Sequence, residues 1–275
     1  MKNILGFLVF ILLCQSYAIA QTSPRSLPPF TLGVVDQVKS AVLSETRILN
    51  IYLPDNYKKD SATSFPVIYL LDGSADEDFV HIAGLVQFLT MINVMKPSIV
   101  VGIANVDRRR DFTFPTHNKA DLKVSPTSGS SAKFILFLEK ELEPYVQQHY
   151  RTNASKTIIG QSLGGLLATE VLLRKPSLFT DYIIVSPSLW WDDGSLVPDS
   201  KTLVQNASAA GARVFFALGN EGKEMQDYLD QLLAIFKPVE NDKFKVTSVP
   251  FPEESHATIL HRAVYKGIEV LNPKK

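Results

Sequence analysis

Ser162 stands inside Gly160-Gln161-Ser162-Leu163-Gly164-Gly165, between a short apolar, β-branched run and a stretch in which Leu166, Leu167, Ala168, Val171, Leu172 and Leu173 recur at helical spacing. A serine hydroxyl becomes a nucleophile when it is lifted clear of a helix, set beside a base and faced by N–H donors. A sharp strand-to-helix turn of the G-x-S-x-G kind does the lifting. Gly160 and Gly164 lack the Cβ that would crowd such a turn, and the Leu163 N–H at the helix start is free to face a developing oxyanion.

The groups that would complete this chemistry are sought where other strands end. After Pro66–Leu71 comes Asp72-Gly73-Ser74, a tight turn that offers the Gly73 or Ser74 amide as a second oxyanion donor. After Ser98–Val106 comes Asp107-Arg108-Arg109-Arg110-Asp111, whose arginines either pair with Asp111 or clamp an anionic group; Arg109 is the expected substrate contact. The run Arg213–Leu218 leads into Gly219-Asn220-Glu221-Gly222, where the acid of a Ser, Asp/Glu, His order belongs. Glu221 is the expected acid, with Glu224 its main competitor and Asp192 or Asp193 a remoter one. The last strand, Phe244–Val249, leads into Pro250 to His256. Of five histidines, only His256 combines the right chain order with a strand-end position, so it is the expected general base. Trp190 and Trp191 follow another strand end and offer an aromatic wall. Adjacent residues generally point apart, so one of the two is expected to line the pocket.

These residues need a scaffold that gathers strand ends along one edge. Val35–Leu43 and Arg47–Leu53 read as an antiparallel opening hairpin. The later apolar runs, including Thr157–Gly160 and Tyr182–Val185, alternate with helical patterns, among them an amphipathic helix over Ala132–His149. That alternation predicts an α/β fold: a mostly parallel sheet with helices on both faces, its ligand at the carboxyl ends of the strands.

The chain has 275 residues, 45% of them hydrophobic, which suits one large α/β domain over 31–275. Lysine plus arginine and aspartate plus glutamate number 28 each, so the overall charge points neither to nucleic acid nor to an anionic membrane. A small-molecule substrate is the simpler expectation. Lys2, the apolar run Ile4–Leu13 and Ala18-Ile19-Ala20 have the three-part pattern of a secretory signal, with cleavage predicted after Ala20 and an extended leader over 21–30. The one cysteine, Cys14, lies in that signal, so the mature chain would hold no disulfide or thiolate metal site. The expected location is secreted, in the periplasm, with no membrane attachment after cleavage.

Taken together, Tyr69-Leu70-Leu71-Asp72-Gly73, Asn105-Val106-Asp107-Arg108, Gly160–Gly165, Ser186-Pro187-Ser188-Leu189-Trp190-Trp191 and Glu254-Ser255-His256 resemble the Putative esterase family of α/β-hydrolases over most of residues 30–272. The Ser-Pro-Ser-Leu-Trp-Trp segment and the Asp-Arg element are most similar to its siderophore-esterase branch. The resemblance implies the α/β-hydrolase fold, Ser162 as nucleophile, His256 as base, carboxylic ester hydrolysis, and no metal or organic cofactor. An acyltransferase on the same triad and a non-catalytic binding protein on the same scaffold are the alternatives.

Overall fold

The computed structural model describes residues 27–59 and 61–273. The expected export signal lies outside the described residues, as does the leader up to residue 26. The chain divides into Met1–Thr31, of which residues 27–31 have no regular secondary structure, and Leu32–Lys275.

The second unit is built on an eight-stranded sheet. Its strands are β1 (Val34–Ser40), β2 (Glu45–Tyr52), β3 (Phe65–Leu70), β4 (Ile99–Ile103), β5 (Thr152–Gln161), β6 (Asp181–Val185), β7 (Arg213–Gly219) and β8 (Lys245–Phe251). Their spatial order is β1-β2-β4-β3-β5-β6-β7-β8. β1 and β2 form the expected hairpin, in register from Val34 opposite Ile51 to Ser40 opposite Glu45, and β2 meets β4 antiparallel. All remaining pairs are parallel. The first strand is shorter than expected because Glu141 captures the turn after it: its carboxylate accepts from the Ser40 hydroxyl and from the Ala41 and Val42 amides at 2.9 and 3.0 Å.

The helices are α1 (Phe79–Met91), α2 (Arg108–Phe112), α3 (Lys119–Val124), α4 (Ser131–Phe137), α5 (Glu143–His149), α6 (Leu163–Arg174), α7 (Leu196–Ala210), α8 (Lys223–Phe236) and α9 (Ile259–Leu271). Period-two alternation along the strands feeds two cores. Val67, Tyr69, Ile184, Val214 and Phe216 face α4 to α8, whereas Ile68, Leu70, Ile183, Phe215 and Ala217 face α1 and α9. The amphipathic stretch expected as one helix is α4 and α5 joined by a π-helical turn, Leu138–Leu142. Pro144 lies at the start of α5, and because it has no N–H the regular ladder cannot run through it.

β4 and β5 lie on opposite sides of β3, the topological switch point beside which such sheets bind ligands, and a crevice lies at the carboxyl ends of β5 to β8, bordered by Ser162, Ser188, Glu221 and His256. The crevice depends on close backbone packing. A Cβ on Gly160 would lie 2.4 Å from the Gly164 carbonyl oxygen, so strand β5 and helix α6 can meet at this angle only over glycine. Gly160→Ala is therefore expected to lower the free energy of unfolding by about 1–3 kcal/mol, as overpacking does. Urea denaturation of parent and variant checks this, and an unchanged midpoint would contradict the close approach.

Candidate active site

Ser162 lies between β5 and α6 with φ 60° and ψ −121°. This left-handed backbone is strained for any residue with a Cβ, and it is what turns the hydroxyl away from both elements. Local hydrogen bonds hold the turn. The Ser162 N–H donates to Val185 O at 3.0 Å, and its carbonyl accepts from Leu166 N–H at 2.9 Å and Ser188 N–H at 3.0 Å. Leu163 is the first residue of α6, so its N–H has no acceptor within its own helix.

Across the crevice, His256 Nδ1 lies 2.5 Å from Glu221 Oε2. The Glu221 side chain is 5% exposed and that of His256 is 48% exposed. A carboxylate can only accept, so Nδ1 carries the proton and the lone pair of a neutral ring sits on Nε2. The other oxygen of Glu221 accepts from the Ser186 hydroxyl and from the Gly219 N–H at 3.2 Å, which fixes the carboxylate at the end of β7. Glu224, the competing acid, is exposed in the first turn of α8. Asp192 and Asp193 are engaged elsewhere: Asp192 accepts from the His117 N–H and the Thr116 hydroxyl, and Asp193 from the Asn118 amide at 2.7 Å.

The loop that carries His256 is anchored at several points. Its Glu254 carbonyl accepts from Asn220 N–H at 2.7 Å, Arg262 donates to the Glu254 carboxylate at 2.6 Å, and the Gln161 side chain donates to the His256 carbonyl. Gln161, the residue before the turn serine, thus ties the serine's own strand to the histidine's loop. Sequence reading passed over it because the second position of G-x-S-x-G carries no required side chain. Ser162, Glu221 and His256 border one cavity of about 320 Å³, together with Ser188, Trp190 and Met225. The Ser162 hydroxyl lies 3.3 Å from that of Ser188.

The structure divides the two either-or expectations, at the Asp72 turn and at the tryptophans, and turns one expected contact, Arg109, away from the cavity. The Gly73 N–H donates to Ile103 O at 3.0 Å, extending the sheet ladder, and is committed there. The Ser74 N–H is engaged as well, but by a longer bond, donating to Glu77 Oε2 at 3.4 Å. Trp191 is 1% exposed and its indole N–H donates to Phe114 O at 2.9 Å, so it packs the core while Trp190 borders the cavity. Arg109 is exposed and turns to the Val124 carbonyl, away from the cavity.

The neighbouring arginines explain that divergence. Arg110 pairs with Asp111 at 2.7 Å and with Glu45 at 2.8 Å. Arg108 makes a two-pronged bond to Asp72, at 2.6 and 2.8 Å, and reaches Gln161 O at 3.3 Å. Burial disfavours the Arg108 charge, but the bonds to and charge of Asp72 outweigh it, with Glu77 and Asp78 adding, and the guanidinium titrates above its usual range. Asn105 completes the cluster with a 2.7 Å bond to Asp72. Asp72 and Arg108 therefore brace the turn that precedes Ser162. Both lie in motifs visible in the sequence, yet their pairing spans 36 residues and has no local signature.

Residues 40–258 match the family model described as Putative esterase. Among curated proteins, the chain is 32% identical over 180 residues to ferri-bacillibactin esterase BesA of Bacillus subtilis, covering 59% of this chain and 61% of that protein. It is 34% identical over 165 residues to siderophore triacetylfusarinine C esterase of Aspergillus fumigatus, covering 54% and 52% respectively. The chain thus spans about three fifths and half of the lengths of these relatives. Among solved structures, an IroE-like serine hydrolase from Shewanella oneidensis superposes with a TM-score of 0.78 at 29% identity, over 87% of this chain and 80% of that one. The BES protein from Bacillus cereus superposes with a TM-score of 0.80 at 24% identity, over 92% and 100%, a likeness of fold. The sheet order and crossovers are those of the α/β-hydrolase fold, and the match over residues 40–258 makes this chain a member of the Putative esterase family.

Proposed function

We propose that the protein is an exported serine esterase acting on aromatic acyl esters of the siderophore type. The observation that carries the reading is the 2.5 Å contact between His256 Nδ1 and a buried Glu221, bordering the same cavity as a serine in left-handed backbone. In this reading Glu221 holds the imidazole in the tautomer whose Nε2 accepts a proton. The Ser162 hydroxyl exchanges its Ser188 neighbour for His256 Nε2 as substrate enters; hydrogen bonds of this kind are commonly longer before substrate binds. Ser162 Oγ attacks the acyl carbon while its proton passes to Nε2. The Leu163 N–H holds the oxyanion, joined by the Ser74 N–H as it exchanges its long bond to Glu77 for the substrate oxygen. Collapse of the intermediate breaks the ester C–O bond, and His256 returns the proton to the departing alcohol. Water repeats the sequence on the acyl-serine and releases the acid. The half-exposed His256 gives water access to that intermediate, which favours hydrolysis over transfer to another alcohol.

Family membership supports the reaction class, and relatives named as siderophore esterases support the substrate class. Trp190 supplies a face on which a planar acyl group can stack. Export is supported by the composition of residues 1–20, and among the described residues no helix is long and apolar enough to cross a membrane.

The nucleophile and base are tested by substitution. Ser162→Ala and His256→Ala are each expected to lower kcat by roughly 10⁶, whereas Glu221→Gln should cost about 10⁴, because the acid orients the ring and stabilises its charge rather than taking its proton. Glu224→Gln should leave turnover near the parent value. Near-parent hydrolysis by a folded Ser162→Ala protein would exclude the mechanism.

Substrate class is tested by the ratio of kcat/KM for catecholate-siderophore esters to that for simple alkyl esters. Trp190→Ala should lower this ratio about three- to tenfold, the equivalent of an aromatic contact of about 0.5–1.5 kcal/mol. Arg109→Ala should leave the ratio unchanged, since its guanidinium is turned to Val124. A parent enzyme that prefers short alkyl esters, with a ratio insensitive to Trp190, would reduce the reading to a general esterase.

A further inference from the structure

His81 is the third residue of α1 and His261 the third residue of α9, the two helices that cover one face of the sheet. Their Nδ1 atoms lie 3.4 Å apart, with ring centroids 5.6 Å apart and planes inclined by 35°. The opposite nitrogen of His81, Nε2, is 3.3 Å from Asp78 Oδ1. Because the carboxylate accepts, neutral His81 carries its proton on Nε2 and presents the Nδ1 lone pair to His261. A carboxylate on one imidazole nitrogen with the lone pair of the other left outward is the arrangement that orients histidine for a metal ion. Two imidazole nitrogens at about 2.0–2.1 Å from a tetrahedral ion stand roughly 3.3–3.4 Å from each other, which is the separation found here. The His81 side chain is 37% exposed and His261 is exposed, so an ion can reach the pair from solvent.

We infer that His81 and His261 form a two-histidine chelate for a divalent transition-metal ion of the zinc, copper or nickel class, outside the serine site. Without the ion, His261 Nδ1–H donates to His81 Nδ1. The ion takes the place of that proton, which passes through solvent to Nε2 of His261, so that the ring stays neutral, offers its Nδ1 lone pair as the second ligand and releases no net proton. Among the described residues no group of three or more His, Cys, Asp or Glu surrounds a single point. The protein therefore supplies two ligands and water the remainder, so binding is weaker than at a closed four-ligand site. The ion would join two helix starts, one following the Asp72 turn and the other following the His256 loop. The inference does not rest on the ester reading.

Zn²⁺ titration of the full chain by calorimetry, with the unfolding temperature followed in parallel, tests the site. The expected result is one saturable ion that raises the unfolding temperature. That ion should be lost in His81→Ala and in His261→Ala and kept in His117→Ala and His256→Ala. Asp78→Asn should weaken binding about 10- to 100-fold, as loss of an outer carboxylate does. With Cu²⁺, electron paramagnetic resonance should show two coordinated nitrogens, one of which disappears with each histidine. If either alanine variant does not fold, His81→Gln and His261→Gln take its place. No saturable binding, binding retained in the double variant, or binding abolished by His256→Ala would overturn the site. Parent-like affinity in Asp78→Asn would overturn the orienting role of the carboxylate.

Discussion

Three residues with side chains, Asp72, Ser162 and Ser186, hold left-handed backbone at the ends of β3, β5 and β6, with φ of 53°, 60° and 44°. These strands are neighbours in the sheet, so the strain is gathered along one stretch of its carboxyl edge. Each such conformation costs of order 1–3 kcal/mol and persists only where its surroundings hold it. Here they do. The sheet ladder continues past the strand ends through Ser162 N–H to Val185 O and Ser186 N–H to Ala217 O, at 3.0 and 2.8 Å. Asp72 is held by its side chain, through Arg108 and Asn105.

The rest of the site follows from that edge. Lifting Ser162 out of the β5 to α6 path leaves the first amide of α6, that of Leu163, without an acceptor in its own helix. The turn at Ser186 sends its hydroxyl to Glu221, and two residues later the same segment brings Ser188 beside Ser162. One short stretch after β6 thus touches both the serine and the acid that faces the histidine, while Gln161 reaches across to the histidine's own loop. A disturbance at any of these turns would be felt at the others, because they share acceptors rather than standing side by side.

The charges are distributed to the same end. Arg108 and Asp72 neutralise each other beside the serine turn, and Arg110 and Arg47 do so with Asp111 and Glu45 at the far end of α2. Such pairs contribute geometry more than net stability, since desolvating both partners offsets much of their attraction. They leave the cavity itself with little fixed charge beyond the Glu221 and His256 pair. An uncharged ester fits such a lining, and Trp190 gives it an apolar wall.

Local pattern alone determined the α/β alternation, the opening hairpin and the turn at Ser162, because each rests on side-chain periodicity or on glycines within a few residues. The mostly parallel α/β sheet is legible in that alternation, the α/β-hydrolase fold only in the resemblance its motifs carry, and the strand ends are where the chemistry-bearing residues stand. Strand limits were less legible, since β1 stops where Glu141, a hundred residues away, captures its turn. The partners at the site were decided by tertiary structure. Glu221 and Glu224 differ by less than a turn in sequence, yet only the former is buried against His256, because it precedes α8 while the latter lies on it. Trp190 and Trp191 divide between cavity and core for the alternation reason foreseen, but which of them goes where depended on Phe114 O lying within reach of one indole. The arginine run parted in the same way: Arg108, Arg109 and Arg110 are consecutive, and a short helix points them at Asp72, Val124 and Asp111. Residue types and spacing name the candidates, but a hydrogen bond between residues 36 or 95 positions apart exists only once the sheet has set their strands side by side.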